Sequence, residues 1–227
     1  DGNNKYYDNI VFDMKSWLTF FGIWIAEGWV NSNTKNSKYS IIISTDKLRV
    51  KENLFKSLDT LGLKYNDYMN KTTIHNYQLY HYMKQWSKGA PHKNLPEWTW
   101  KLSKEQCRSL IYGMVLGDGC FKNNDTHIYY TSSVRLADDF MRLCLHSGWS
   151  SNRRIHMKKG YECKLKDGRI IKSNYDVFRL SIIKTKNNPS VNHGHTKKQN
   201  VQIEELYDYK GPVFCLTVPN EIFYVRR

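Results

Sequence analysis

The feature that most constrains this chain is an apolar segment that occurs twice and ends each time in an acid followed by a glycine. The first copy reads FFGIWIAEG at residues 20–28, and the second reads IYGMVLGDG at residues 111–119. Apolar residues in both segments recur at spacings of three and four, which predicts two helices. A carboxylate at the end of a buried helix costs free energy unless it is paired or solvated. The two acids, Glu27 and Asp118, are therefore the first candidates for a functional site.

The sequence that follows each segment also repeats. Glu27 and Asp118 lie 91 residues apart, and each is followed by a strand-like stretch and an amphipathic helix closed by a glycine. These stretches are residues 39–45 and 46–62 in the first half, and residues 127–133 and 134–148 in the second. A repeat of this size predicts two copies of one supersecondary unit. We assign residues 1–100 to the first copy, 101–195 to the second and 196–227 to a separate C-terminal segment.

Small residues occur at a four-residue step in both predicted helices, at Gly22, Ala26, Gly113 and Gly117. Without large side chains along one stripe, two helix backbones can approach closely, so we expect the two helices to pack directly on each other. Each helix is followed by a glycine, Gly28 or Gly119. Because glycine commonly ends helices in the left-handed conformation, we predict that conformation at both positions.

Such packing would bring Glu27 and Asp118 side by side at the C-terminal ends of their helices. The two carboxylates repel each other, whereas the negative ends of both helix dipoles favour a cation. A hard divalent ion that prefers oxygen ligands would relieve the repulsion, so the pair predicts a site for Mg²⁺ (or Mn²⁺). The alternative is two ordinary buried helices whose acids reach solvent, and the duplication favours the metal site.

At these residues the sequence resembles the LAGLIDADG homing endonucleases. The two nine-residue segments are similar to the paired motifs of that family, and so are the stretches at 93–106 (KNLPEWTWKLSKEQ) and 129–140 (YYTSSVRLADDF). The resemblance implies an α+β fold: a pseudo-twofold repeat of αββαββα units, with two saddle-shaped antiparallel sheets and a central pair of packed motif helices. It also implies a monomer that binds double-stranded DNA at a long specific target and cleaves both strands across the minor groove with a divalent metal.

The same resemblance implies which residues carry the reaction. Glu27 and Asp118 match the metal-binding acids, although aspartate is commoner at the first position. The family usually adds a basic residue near each acid. Lys93 in the stretch KNLP and Lys186 in the similar stretch KNNP are the candidates for that role. Since Lys and Asn are abundant in this chain, a chance match remains an alternative for either lysine.

The charge of the chain favours a polyanionic partner. Lysine and arginine number 35 against 21 acids, which gives a formal charge of +14 and a pI near 9.5. Such an excess is typical of proteins that bind nucleic acid. Basic residues and one tyrosine on strand-like or helix-end positions are the candidates for DNA contact; a basic hairpin without a partner is the alternative. They are Lys38, Tyr39, Arg49, Lys71, Arg135, Arg153, Arg154, Lys158, Lys164, Lys172, Arg179 and Lys184.

The sequence argues against a membrane protein and against a secreted one. Its longest apolar stretch, residues 17–30, is shorter than the roughly 20 residues of a membrane span and contains Glu27. Five cysteines without CxxC spacing predict free thiols in a reducing compartment. We therefore expect an intracellular protein, in the cytoplasm, nucleus or an organelle.

The last stretch, residues 207–227, resembles the start of the C-terminal splicing region of an intein. This resemblance implies an intein-derived enzyme, either the nuclease part of an intein or a free-standing descendant of one. The sequence lacks the His-Asn pair and the terminal Cys or Ser that splicing requires, so we do not expect it to splice by itself. Two alternatives to an endonuclease are a non-catalytic DNA-binding protein and an intron RNA maturase on the same scaffold. A protein-splicing module is a third.

Overall fold

The computed structural model describes residues 9–33, 38–121, 126–164, 168–185, 208–214 and 217–219. The chain divides into two compact units, Asp1–Asn187 and Asn188–Arg227. In the second unit, the Tyr209 hydroxyl donates a hydrogen bond to the carbonyl oxygen of Pro212 at 3.1 Å. Most of the intein-like stretch at 207–227 lies outside the described residues, so the expectation for it stays a prediction.

All helices and strands of the described residues belong to the first unit. The five α-helices are α1 (Met14–Glu27), α2 (Leu48–Thr60), α3 (Tyr77–Lys84), α4 (Lys104–Asp118) and α5 (Val134–His146). The first five strands are β1 (Gly28–Asn33), β2 (Lys38–Ser44), β3 (Tyr65–Asp67), β4 (Lys71–His75) and β5 (Gly119–Phe121). The others are β6 (Thr126–Thr131), β7 (Ser150–Met157), β8 (Glu162–Lys164), β9 (Ile170–Lys172) and β10 (Val177–Ile183).

The strands form two four-stranded antiparallel sheets with the same internal order. The first sheet runs β1-β2-β4-β3 and the second β5-β6-β10-β7, so corresponding strands occupy corresponding places. Strands β8 and β9 lie between β7 and β10 along the chain and form a separate two-stranded sheet. The predicted α+β class, with two antiparallel sheets, is confirmed. The first half shows the full αββαββα order, and the described residues of the second half show this order as far as its last strand, β10.

Helices α1 and α4 pack against each other where their glycines lie. A Cβ atom on Gly22 would lie 2.6 Å from the carbonyl oxygen of Leu110 and 2.8 Å from the backbone nitrogen of Met114. A Cβ on Gly113 would lie 3.0 Å from the Cα of Gly22. The predicted close approach of the two motif helices is therefore present, and it is an approach of backbone to backbone.

The prediction that Gly28 and Gly119 adopt the left-handed conformation is wrong. Both are extended, with φ of −108° and −129°, because the chain passes straight from each helix into the next strand. Glycine is required at Gly28 for space, since a Cβ would lie 2.6 Å from the Trp24 carbonyl oxygen. Left-handed glycines do end the amphipathic helices α2 and α5, at Gly62 (φ 65°) and Gly148 (φ 74°).

Helix α1 is buried on nearly all sides, which explains its almost continuous apolar sequence. Residues 20–26 are all buried, with α4 on one side and the remaining core around them. The N-terminal ends of the two motif helices are capped by side chains. Asp13 accepts from the Ser16 backbone nitrogen at 2.8 Å, and Ser103 with Gln106 forms a reciprocal capping box. No helix in the described ranges is long and apolar enough to cross a membrane.

We expect Gly113→Ala to lower the free energy of unfolding by about 1–3 kcal/mol, the usual cost of forcing atoms into a packed interface. The added methyl group would meet the backbones of Thr19 and Gly22, which cannot move aside without separating the helices. Chemical denaturation measures the change. Gly89→Ala is the control, because its Cβ would meet only Pro91 Cδ, at 3.9 Å. Equal stability of the two variants would contradict the close helix contact.

Candidate active site

The C-terminal ends of α1 and α4 meet, and this meeting positions the two acids. A Cβ on Gly117, the residue before Asp118, would lie 3.1 Å from the Cγ of Glu27. The Glu27 side chain is only 17% exposed. The repeat and the stripe of small residues predicted this pairing, and the structure brings the two residues together. Two acids from distant parts of the chain thus share one partly buried site.

Burial and repulsion change the acidity of Asp118. Burial, and after it the neighbouring Glu27 carboxylate, raise the pKa of its carboxyl group to about 6, against the opposing effect of Lys93 and Lys47. The protein therefore holds this acid in an environment that disfavours its charge. An additional cation at the site would reverse that preference.

Lys47 is the first cation at the site. Its ammonium group donates to Glu27 Oε1 at 2.5 Å and to the carbonyl oxygen of Gly117 at 2.7 Å, so it joins the two halves. Lys47 precedes α2, and the residue at the corresponding place before α5 is Ser133. Because the lysine has no counterpart in the repeat, comparison of the two halves cannot find it.

Lys93 is the second cation, and it was predicted as a basic residue near the acids. Its ammonium group donates to the carbonyl oxygen of Ala26 at 2.8 Å. Burial lowers the pKa of Lys93, and the carboxylates of Asp118 and Glu27 counteract that change. The loop that carries the lysine is fixed by the second half, since the Ser133 hydroxyl donates to the Lys93 carbonyl oxygen at 2.7 Å.

A buried acid fixes the same loop one step further along the chain. Asp139 on α5 is only 4% exposed and accepts a hydrogen bond from the Leu95 backbone nitrogen at 2.9 Å. Its other oxygen, Oδ1, pairs with Arg135 Nε at 3.2 Å. Arg135, a candidate for DNA contact, thus helps to hold Asp139 and through it the Lys93 loop.

Tyr129 is a further polar group beside the acids. It lies opposite Gly119 in the pairing of β6 with β5, and its ring stacks on Phe140. Its hydroxyl is buried and has no hydrogen-bond partner among the described residues. Burial raises the pKa of Tyr129 well above the ordinary value, and the carboxylates of Asp118 and Glu27 raise it further.

The donors at this site fit a hard divalent cation. The described residues contain no group of three or more His, Cys, Asp and Glu side chains that could enclose a metal. Mg²⁺ does not need one, because it usually keeps several waters and binds one or two carboxylates together with substrate phosphates. Glu27 and Asp118 supply the carboxylates, and the carbonyl oxygens of Ala26 and Gly117 already attract lysine ammonium groups.

Arg49 supports the site from the α2 side. Its Nε donates to the carbonyl oxygen of Leu116 and its Nη2 to that of Gly119, both at 2.9 Å. These bonds fix the turn from α4 into β5, on either side of Asp118. Arg49 was a predicted DNA contact, and the structure places it at this helix end.

Several candidates for DNA contact lie on the sheet faces turned away from the helices, here called the outer faces. Arg154, Arg179 and Tyr130 form one row across the second sheet, from β7 through β10 to β6. Lys71 is exposed on β4 of the first sheet. Tyr39 is on the opposite face, where its ring meets Tyr77 of α3 at 4.8 Å.

The remaining candidates have different surroundings. Arg153 pairs with Asp138 at 2.6 Å, and Lys184 lies 2.9 Å from His127 Nε2. Lys158, Lys164 and Lys172 are exposed in the connection between β7 and β10, where Lys172 pairs with Glu162 at 3.2 Å. Lys186 and the side chain of Lys38 lie outside the described part of the chain, so both stay predictions.

No protein-family model matches the chain. Its relatives include a DNA-directed RNA polymerase subunit beta C-terminal section from Stigeoclonium helveticum, 40% identical over 257 residues, 95% of this chain and 23% of the relative. Another is an ATP-dependent Clp protease proteolytic subunit from Chlamydomonas moewusii, 37% identical over 152 residues, 63% of this chain and 15% of the relative. The chain thus spans less than a quarter of the length of either relative.

Solved structures with a related arrangement include LAGLIDADG proteins. I-DmoI in complex with DNA and Mn aligns with a TM-score of 0.48 and 13% identity, over 75% of this chain and 90% of that chain. Full-length DUF199/WhiA from Thermatoga maritima aligns with a TM-score of 0.48 and 11% identity, over 81% of this chain and 55% of that chain.

We expect Asp118→Asn to stabilise the protein at pH 7 without divalent ions, by up to about 3 kcal/mol. The Asp118 carboxyl group has a pKa of about 6 in the folded protein against an ordinary 3.8. Between these two pH values the folded protein keeps a proton that the unfolded chain releases. The free energy of unfolding of the wild type therefore falls as pH rises from about 4 to 6 and stays low above. Denaturation across pH measures this. The exposed Glu52→Gln is the control, and a less stable Asp118→Asn at pH 7 would contradict the burial argument.

Proposed function

We propose that this chain is a site-specific, metal-dependent double-strand DNA endonuclease of the LAGLIDADG type. The observation that carries the proposal is the meeting of Glu27 and Asp118 at the ends of two packed helices. Each acid follows one copy of the motif, and Asp118 is kept in an environment that raises its pKa to about 6. Two repelling carboxylates in one partly buried place cost free energy, and binding of a cation would offset that cost.

Each residue at the site has a distinct task in this reaction. Glu27 and Asp118 would hold Mg²⁺ or Mn²⁺, which would activate the attacking water and stabilise the leaving oxygen of the scissile phosphate. Lys47 and Lys93 counter the negative charge where the phosphate backbone must approach two carboxylates. Arg49 keeps the last turn of α4 in place, and therefore the direction of the Asp118 side chain.

The geometry also supports duplex DNA as the substrate. The strands β1 and β5 begin at Gly28 and Gly119, directly after the acids, so both sheets start at the site. Their outer faces carry Lys71, Arg154 and Arg179, which are suited to phosphates and base edges.

Because one chain supplies both acids, a monomer suffices for cutting two strands. The proposed location is intracellular.

The relatives support an origin as an inserted element. The two alignments cover 95% and 63% of this chain, so they overlap over more than half of it. A segment shared by an RNA polymerase section and a Clp protease subunit does not belong to the activity that either name describes. We infer that the segment is an insert in both, which agrees with the intein-like sequence at 207–227.

The decisive variants are Glu27→Gln and Asp118→Asn, which keep the size of each side chain and remove its charge. Each should lower double-strand cleavage in Mg²⁺ by about 10³-fold or more, because the cation loses a ligand. Binding of the same duplex in Ca²⁺ should be unchanged or slightly tighter, since negative charge near the phosphates is lost. The substrate is a duplex recovered by cleavage selection from a random library.

Glu105→Gln is the matched control, because this exposed acid lies in the first turn of α4, far from Asp118 along the same helix. It should cleave at the wild-type rate. Wild-type cleavage by either active-site variant would refute the proposed roles of the acids. Sequence-specific binding without any cleavage by the wild type would instead support the non-catalytic alternative.

Lys47→Met and Lys93→Met should each lower the cleavage rate by about 10²-fold while binding in Ca²⁺ changes little. Both substitutions keep the apolar stem and remove the ammonium group that lies on the motif backbone. Single-turnover rates of nicking on each labelled strand measure the effect. The control is Lys56→Met, an exposed lysine on α2. An undiminished rate in either active-site variant would mean that its ammonium group has only a structural role.

A further inference from the structure

The two halves differ at the second residue after each acid. Trp29 follows Glu27 at the second position of β1, and Cys120 occupies the matching place after Asp118 in β5. Two residues of chain span at most about 7 Å, so both positions lie beside the acids. Trp29 is 43% exposed. A large apolar ring is therefore open to solvent next to the two carboxylates in the first half, and a small thiol takes its place in the second.

The strand register places Trp29 on the outer face of the first sheet. Its pairing partner on β2 is Ile42. The neighbours of that residue along the strand, Ile41 and Ile43, are fully buried in the core. Because side chains alternate between the two faces of a strand, Ile42 and Trp29 project to the opposite face. The indole ring therefore lies on the same side of the sheet as Lys71.

Trp29 also differs from the other tryptophans of the chain, which number six. Each of those six packs against another aromatic ring or a cationic side chain, and they are Trp17, Trp24, Trp86, Trp98, Trp100 and Trp149. Within the described ranges, no ring or cation stacks on the Trp29 indole. Its flat face is available to a ligand.

The closeness of the two acids decides which groove of a bound duplex faces them. A Cβ on Gly117 would lie 3.1 Å from the Glu27 Cγ, so the phosphates that Glu27 and Asp118 serve must also be close. The minor groove of B-DNA is about 6 Å wide and the major groove about 12 Å. The two phosphates therefore face each other across the minor groove. Trp29, beside one acid on the outer face, lies opposite the base pairs between them.

We propose that Trp29 is a wedge that enters the minor groove between the two scissile phosphates and opens one base step on the first-half side. The proposal rests on the proposed function, because it requires a duplex at the two acids. Apolar side chains inserted from the minor groove unstack a base step and kink the duplex, and an aromatic ring can stack on the exposed base. A protein partner seated on Trp29 would cover Glu27 as well, so the position favours DNA.

A preference for a flexible base step follows from such a wedge. Pyrimidine–purine steps such as TA and CA are the easiest to kink, so they should be favoured where Trp29 enters. This preference requires no hydrogen bond to a base edge. The Cys120 side chain is too small to open a step, so only one side of the centre should show the effect. Trp29 thus contributes to specificity at the centre of the target.

The test uses the full chain and a duplex recovered by binding selection from a random library in Ca²⁺. Permanganate oxidises thymines that have lost their stacking, and thymine is placed at each position of the duplex in turn. The wild type should make one step reactive and bind a TA step there about tenfold more tightly than an AT step. Trp29→Ala should lose both effects, whereas Trp29→Phe should keep part of each, because phenylalanine is also an inserting side chain.

Tyr77→Ala is the matched control, because Tyr77 is also 43% exposed but lies on α3, against the other face of the first sheet. It should keep the reactive step and the preference. A mismatch at that step opens it in advance, so it should tighten binding by the wild type and leave binding by Trp29→Ala unchanged.

The outcomes separate the wedge from the proposed function. Equal permanganate reactivity with the wild type and Trp29→Ala, or no reactive step with either, would overturn the wedge while the proposed function stands. The slope of log Kd against log salt should be the same for both proteins, since no charge is removed. A wild type that binds no duplex would refute the proposed function, and the wedge with it.

Discussion

The backbone contact between α1 and α4 is the interaction on which the rest of the structure depends. Gly22 and Gly113 allow the two helices to touch without intervening side chains. Because each helix runs directly into the first strand of its own sheet, this contact sets where both sheets begin. It also sets the separation of Glu27 and Asp118. One interface therefore positions the two halves of the fold, the two acids and the origin of both outer faces.

The cations show how the halves cooperate. Lys47 belongs to the first half but bonds to Gly117 of the second motif, and Arg49 bonds on either side of Asp118. Lys93 comes from the connection between the halves, yet α5 holds its loop. Neither half could form this set of contacts around the two acids alone. The two halves are similar in fold, but they are not equivalent in chemistry.

The same asymmetry extends to the surface. Residues 68–70 join β3 and β4 in the first sheet, whereas the longer stretch of residues 158–176 joins β7 and β10 in the second. Arg49 and Arg135 occupy matching places in the repeat but have different partners, a helix end for one and Asp139 for the other. Duplication has thus kept the sheet order and the motif helices, and divergence has altered the residues around the site and the outer connections.

The sequence by itself determined the repeat, the two motif helices, their packing stripe and the acid pair, because periodicity and small residues at fixed spacing are local properties. Lys93 was predicted from the resemblance to the LAGLIDADG family. Only the tertiary structure decided the partners of Lys47, Arg49 and Tyr39, since those contacts join residues far apart in the chain. The conformations of Gly28 and Gly119 were also decided there. A helix-ending glycine is ordinarily left-handed, but here the chain must continue straight into a strand, and the crowded backbone leaves no room for a Cβ.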